Sequence, residues 1–448
     1  MHDLLDQLKT HTDDAEVFGL ESTVNLVMFE NNKLKSLTTL NSRGAAVRAR
    51  VNGKLGQSFT SDLRHPATLA ERIRKLAELG DSSDLQFAGP APYAQFPLTH
   101  PSVTELTMEE ILADGQEAIS LLQSRFPNIM VTLSAERTTD NVQVLTTNGA
   151  EGHYERMFLI NGIIAELVEG HNILRMTRFR RGTQRPASAR DIAADLAADL
   201  EIGRKTVPFT PGRHRVIFAP SSLADVLMAF TGAVDADLVA RGVSPLTKRM
   251  GDQILDPRLS IVDDPHNPTG ILSAPLDDEG TPTQRRAIVD RGVLRSFIAD
   301  RNAAGRLGIS PTGNAWRVTP FERYKSFSAG LSIDFSNLVV EGGDIAKDDL
   351  YRDTQLGIEV HQINGILLGD LIGGDFSGSL EIAFLVRNGE RIGRIKDAMI
   401  AGNFFSLFKD QIIGISREQA WGGIFGGVSG SFQVPWIAVD NVEIAGTH

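Results

Sequence analysis

Apolar positions in the first part of the chain alternate with polar ones and then fall into helical spacing. Val24-Asn25-Leu26-Val27-Met28-Phe29 reads as a strand and Asn31-Asn32 as a turn. Ala45 to Val51 is a second, partly alternating strand. It runs into Asn52-Gly53, a dipeptide whose tolerance of positive φ favours a two-residue hairpin. Leu69, Ile73, Leu76 and Leu79 then recur at helical intervals across 66–79. Pro90, Pro92, Pro97 and Pro101 break the pattern and mark a surface connection. Helical period returns over 107–125, where Thr107 suits an N-cap and Glu109 and Glu110 suit the positive end of the helix dipole. Strand-like segments follow at 129–135, 142–146 and 154–168, with Asn148-Gly149 as a turn, and 188–202 is a further capped amphipathic helix.

Pro208, Pro211 and Gly212 punctuate the chain, which places a domain boundary near 205–212. A strand at 214–218 opens the second half. A helix over 221–240 follows, with Leu223, Val226, Leu227, Phe230 and Val234 on one face. Beyond it the chain is rich in glycine and strand-like segments, and helical period returns only near 301–307 and 403–412. The expected fold class is α+β. An amino-terminal domain of hairpins and helices (1–207) precedes a carboxy-terminal domain built on a large curved antiparallel sheet (208–448).

Composition narrows the possibilities. Among 448 residues, 42% are hydrophobic and 23% charged, so the chain has the material for a sizeable core. The net charge is −11 and no long run of lysine or arginine exists, which disfavours nucleic acid as a partner. The densest basic stretch, Arg175, Arg178, Arg180, Arg181 and Arg185, reads as a strand or loop with solvated arginines. With no cysteine, disulfides, thiolate metal sites and cysteine nucleophiles are excluded. Met1-His2-Asp3-Leu4 is no secretory leader and no apolar run could span a bilayer, so a soluble cytoplasmic protein is expected.

Hydrolytic chemistry is hard to assemble. None of the ten histidines precedes a glutamate, and no phosphate-binding glycine loop is present. Ser429, in Gly427-Val428-Ser429-Gly430-Ser431, has most of a nucleophile elbow but lacks its last glycine. Three acidic groups stand out: Asp235 with Asp237, Asp263-Asp264 ahead of Pro265-His266, and Asp277-Asp278-Glu279-Gly280. Paired carboxylates can bind a hard cation or share acid–base work. In a glycine and proline context they more often bond their own backbone.

Several longer segments together resemble the TldD/PmbA family, once called modulators of DNA gyrase. They are FENNKLKSLTTLNSRGAAVRARVNGKLGQSFTSDL (29–63), DDEGTPTQRRAIVDRGVLRSFIADRNAAGRLGISPTGNAWR (277–317), which includes Pro311-Thr312-Gly313-Asn314, and LIGGDFSGSLEIAFLVRNGERI (371–392), followed by Ala401-Gly402-Asn403. The resemblance covers nearly the whole chain. It implies that catalytic members carry H-E-x-x-x-H on the helix opening the second domain. There the histidines and a carboxy-terminal cysteine bind zinc, and the glutamate is the general base. That motif falls on Met228-Ala229-Phe230-Thr231-Gly232-Ala233. Met228 and Ala233 replace the histidines, Ala229 replaces the base, and the cysteine has no counterpart.

The pattern matches the PmbA side of the family, also called TldE. The resemblance therefore implies a non-catalytic subunit with no metal of its own. It would form a heterodimer with a TldD-like zinc peptidase and help hold flexible peptides. Gly373, Gly374, Asp375 and Asn314 are candidates for a peptide groove, because glycine lets an extended backbone approach closely. Two alternatives remain. One is an autonomous homodimer that binds peptides or proteins without cleaving them. The other is an independent hydrolase using Asp263, Asp264 and His266.

Overall fold

The computed structural model describes residues 1–170, 172–319, 324–366, 369–423 and 429–446, with the side chains of 429 and 430 outside that description. The amino-terminal hairpin signals give much longer strands than their apolar cores imply. Asp14–Glu30 and Lys33–Val51 pair antiparallel along their lengths. Asn31 and Asn32 make the turn at φ of 50° and 67°, and Asn52 and Gly53 repeat it at 51° and 74°. Six antiparallel strands form one sheet in the order Lys54–Thr60, Lys33–Val51, Asp14–Glu30, Ile129–Thr146, Glu151–Glu169, Asn172–Gly182.

The two separate strands expected at 129–135 and 142–146 are one continuous strand. Its middle breaks the apolar pattern because the polar residues there are buried and paired. Asp140 accepts from Arg156 at 2.7 Å and from Ser22 at 2.7 Å. The helices Met108–Arg125 and Ala189–Gly203 pack together over a core that includes Leu133 and Ile163. Each begins with a capping box, Thr107 with Glu110 and Ser188 with Asp191.

The arginine-rich stretch is a strand, and its arginines are not simply solvated. Arg181 is buried, and Arg178 pairs with Asp199 at 2.6 Å. Edge position left the sequence pattern ambiguous: the strand borders the second domain, whose chain covers part of its face.

The second sheet begins at Gly212–Phe218. That strand pairs with both Leu356–Asn364 and Ser429–Gly446. Asp375–Arg387 and Ala398–Asn403 complete a closed ring of five strands. The sheet is mostly antiparallel, with parallel pairings at Leu356–Asn364 and at Leu338–Val340. The helix Pro220–Ala233 packs against this ring. It is buried on nearly every side, not on the single face that its leucines and valines imply. The expected helix over 221–240 stops there. Asp235 caps a second short helix, Ala236–Ala240, after Val234 and Ala236 exchange backbone hydrogen bonds with Ile298.

A seam of buried charge joins the two domains. Arg48 of the first sheet donates to Glu16 beside it at 2.7 Å and to Glu279 of the second domain at 2.7 Å. Lys325 meets Asp278 in the same layer. Asp277 accepts backbone N–H bonds from Glu279, Thr281 and Ala315 at 2.8–3.2 Å. The acidic turn is therefore partly a backbone-bonding turn and partly an inter-domain clasp. Breaking a buried pair strands its partners, so Arg48→Met is expected to cost about 3–5 kcal/mol in urea unfolding. A loss below about 1 kcal/mol would show that the seam does not hold the domains together.

Candidate functional site

On the helix Pro220–Ala233, the positions expected to carry catalytic chemistry do not share a face. Met228, Thr231 and Gly232 are partly exposed, whereas Ala229 and Ala233 are fully buried. Residues i, i+3 and i+4 of a helix line up, but i and i+5 do not. In a regular helix Met228 and Gly232 line up, whereas Ala233, aligned with the second histidine of the family motif, is turned into the core here. A Cβ built on Gly232 meets only Ile372, at 3.8 Å. The open face therefore lies beneath the glycine loop of residues 369–375.

That loop accounts for the pairing of two sequence signatures. Asn403 donates through Nδ2 to the Gly373 carbonyl at 3.1 Å and to Asp375 at 2.8 Å. Gly374 adopts φ of 92°, and a Cβ there would strike Phe405 at 2.7 Å. Gly373 and exposed Asp375 are thus placed beside the helix's open face. Asn314 is not. It is completely buried and donates to Asp263 at 2.7 Å and to the Asp334 carbonyl at 3.0 Å. It has no surface to offer a peptide and is removed from the groove.

The remaining candidates are held in structural roles. Asp235 caps its helix through the Asp237 N–H at 2.7 Å, and Asp237 pairs with Arg241 and Arg306. Asp264 accepts from the His266 N–H at 3.2 Å, and the His266 ring meets Thr283 at 3.2 Å. Asp263 turns to Ser336 and Asn314 instead, so the three do not form a site. Burial pushes Asp263 up to about 6 against these hydrogen bonds. Ser429 begins the last strand, with its side chain outside the described residues, and 424–428 of the adjoining glycine-rich segment lie outside them too.

A different cluster lies between the domains and was missed in the sequence. Glu359 is buried and accepts from Tyr351 at 2.5 Å and His361 at 2.7 Å, with Arg391 at 3.8 Å. Burial pushes the Glu359 carboxyl up, but the His361 and Arg391 charges and the Tyr351 hydrogen bond outweigh it, leaving it below its ordinary value. Asp199 of the first domain bridges Arg178 and Arg391 at 2.6 Å each. Burial opposes its charge, yet these cations hold it at about 2. The available signal was Glu359-Val360-His361, two ionisable residues two apart and therefore on one face of the strand Leu356–Asn364.

The family's zinc can now be tested against the residues present. Among the described residues no three histidine, aspartate or glutamate side chains are grouped to hold a metal, and cysteine is absent from the sequence. The helix face of Met228, Thr231 and Gly232 offers at most a thioether and a hydroxyl, which does not fit a hydrolytic zinc site.

These features define an α+β protein in which a buried helix packs against a second sheet that closes on itself. The chain belongs to the PmbA/TldD metallopeptidase family. The model of the PmbA/TldA metallopeptidase C-terminal domain matches residues 211–446, and that of domain 1 matches 15–80. A metalloprotease of Methanothermobacter thermautotrophicus is 24% identical over 99% of this chain and 98% of its own. Metalloprotease PmbA of Escherichia coli O157:H7 is 29% identical over 44% of this chain and 39% of its own. The crystal structure of TldE from Thermococcus kodakarensis superposes over all of both chains at a TM-score of 0.90 with 21% identity, a likeness of fold.

Two outcomes follow. If helix phase governs the open face, Met228→His with Gly232→His should bind Ni2+ at least about tenfold more tightly than Met228→His with Ala233→His in calorimetry, since only the first pair converges. Equal affinities would refute the assignment of faces. Separately, burial and the nearby Glu279 push Asp300, the N-cap of Arg301–Leu307, up to about 6. A raised carboxyl favours folding below its ordinary value near ~3.9, and that benefit is lost as pH rises through about 6. Asp300→Asn keeps a capping oxygen without the charge. It should gain about 1–2 kcal/mol at pH 8 and nothing at pH 4 in urea unfolding, and a pH-independent effect would contradict this.

Proposed function

We propose that this chain is a metal-free subunit that pairs with a zinc-bearing peptidase of its own family and helps hold the flexible peptide its partner cuts. One observation carries the reading: the helix face that could address an ion presents Met228, Thr231 and Gly232, with Ala229 and Ala233 buried behind it. No general base and no ligand pair stands there, and no thiolate can reach it from a chain without cysteine. On this reading a hydrolytic water is activated on another subunit. Family membership supports the class of reaction. Gly373, Gly374 and Asp375, beside that face, are where a peptide backbone would pass.

The test combines the pure chain with a family member from the same genome that carries H-E-x-x-x-H. The expected result is substoichiometric zinc and no hydrolysis by the chain alone. A stable complex and cleavage of an unfolded peptide should appear only on mixing. One zinc per chain with hydrolysis by the isolated chain would overturn the proposal. So would peptide binding by a homodimer that ignores the zinc-bearing relative.

A further inference from the structure

The cleft between the domains has a form that its ion pairs alone do not require. A partly open recess of about 90 Å³ lies between the strand Asn172–Gly182 and the start of the helix Pro220–Ala233, with Met176, Phe179, Pro220, Ile382, Trp421 and Trp436 in its walls. It is smaller than the ~150 Å³ that accepts benzene, so it fits a branched aliphatic group and not a large aromatic one. Its mouth opens into a wider, solvent-facing space of about 620 Å³, and Arg178, Arg180, His361 and Trp436 line both.

The walls of the wider space carry four cations, Arg178, Arg180, Lys347 and Arg391, against four carboxylates, Asp195, Asp199, Asp348 and Glu359, but these charges are unevenly paired. Arg178, Arg180 and Arg391 face two buried carboxylates, Asp199 and Glu359, while Asp348 stands exposed at the rim. Asp199 is already shared by Arg178 and Arg391, and Glu359 by Tyr351 and His361. Arg180 is the least compensated. One of its nitrogens bonds its own neighbour's carbonyl, on Phe179, and the other reaches the exposed Asp195 only at 3.4 Å. Burial and the adjacent Arg178 push its guanidinium below the ordinary range, as expected for a cation with too little negative charge nearby. Lys347 places its ammonium over the Trp436 ring, 4.5 Å from the centroid, at the edge of the same opening. The recess for an aliphatic group thus opens directly onto an under-neutralised guanidinium and an ammonium.

We propose that this cleft binds the carboxy-terminal residue of a peptide, with a leucine- or valine-sized side chain in the recess and the free carboxylate held by Arg180 and Lys347. A guanidinium matches the planar, two-oxygen geometry of a carboxylate. The outer space is far larger than a single amino acid needs and leaves room for the preceding residues to lead away to solvent. The proposal deepens the peptide-holding reading given above by assigning a terminus and a side-chain class.

Trp421 and Trp436, two of the chain's three tryptophans, line the recess and report its occupancy by fluorescence. The full chain is titrated with N-acetyl-Ala-Ala-Leu as free acid, the same peptide as C-terminal amide, N-acetyl-Ala-Ala-Trp acid, and N-acetyl-leucine. The leucine acid should bind, and the amide should bind at least about tenfold more weakly through loss of a charge-assisted contact. The tryptophan peptide and N-acetyl-leucine should also bind more weakly. Arg180→Gln and Lys347→Met, with unchanged melting temperatures, should each reduce affinity for the acid and leave the weak affinity for the amide unaltered. Equal binding of acid and amide, or full acid affinity in both variants, would overturn the assignment. N-acetyl-leucine binding as tightly as the tripeptide would overturn the peptide part of it. Complex formation and zinc content with the catalytic relative do not read the acid–amide contrast, so the two proposals fail separately.

Discussion

The interaction on which the architecture depends is the clasp of Arg48 between Glu16 and Glu279. A guanidinium this deeply buried is tolerable only when carboxylates meet it in good geometry, because removing a charge from water costs several kcal/mol. Glu16 comes from the same sheet, but Glu279 comes from a turn more than two hundred residues later. The turn must therefore deliver its carboxylate to one point. It is fixed by the N–H bonds that Asp277 accepts and by Asp278 on Lys325. Such a seam adds little net stability over apolar packing, yet it penalises misplacement heavily. It sets where the second domain sits on the first, and hence the shape of the cleft between them.

The same economy explains the helix Pro220–Ala233. A helix packed against a sheet that closes on itself must be apolar almost all round. Only a strip of it escapes, along Met228, Thr231 and Gly232, and the glycine loop lies over that strip. Any chemistry on this helix has to emerge there. In this chain the strip carries small and weakly interacting groups, while the polar residues with strong partners gather at the domain boundary, around Asp199 and Glu359.

Much of the secondary structure was legible in the sequence where local chemistry decides it. Asn31-Asn32 and Asn52-Gly53 specify their turns by tolerance of positive φ, and Thr107 and Ser188 specify helix starts by capping. Legibility failed where tertiary burial reverses a residue's usual preference. Asp140 interrupts an apolar strand because Arg156 waits for it, and Arg178 and Arg181 look solvated until the surrounding chain, Asp199 for Arg178, is placed. Asn314 misled for a related reason: a polar residue in a glycine turn reads as surface, but here it satisfies buried Asp263. The clustering of Tyr351, Glu359 and His361 with Asp199 and Arg391 depends on contacts across 150 residues or more of chain, which no local window contains.

The helix phase bears most sharply on how such a fold divides its labour. A metal site on this helix would demand two ligands that converge on one ion, a base next to one of them, and a further ligand from another segment. Met228 and Gly232 lie on the strip and Ala229 turns into the core. A single ligand placed on the strip would therefore not make a site without the others. What stays constrained is the scaffold around it: Gly374 because Phe405 leaves no room for a side chain, Asn403 because it ties the loop, and Glu279 because Arg48 is otherwise stranded. Weakly interacting groups on the helix strip and strongly paired charges at the domain boundary are thus held by separate parts of one scaffold.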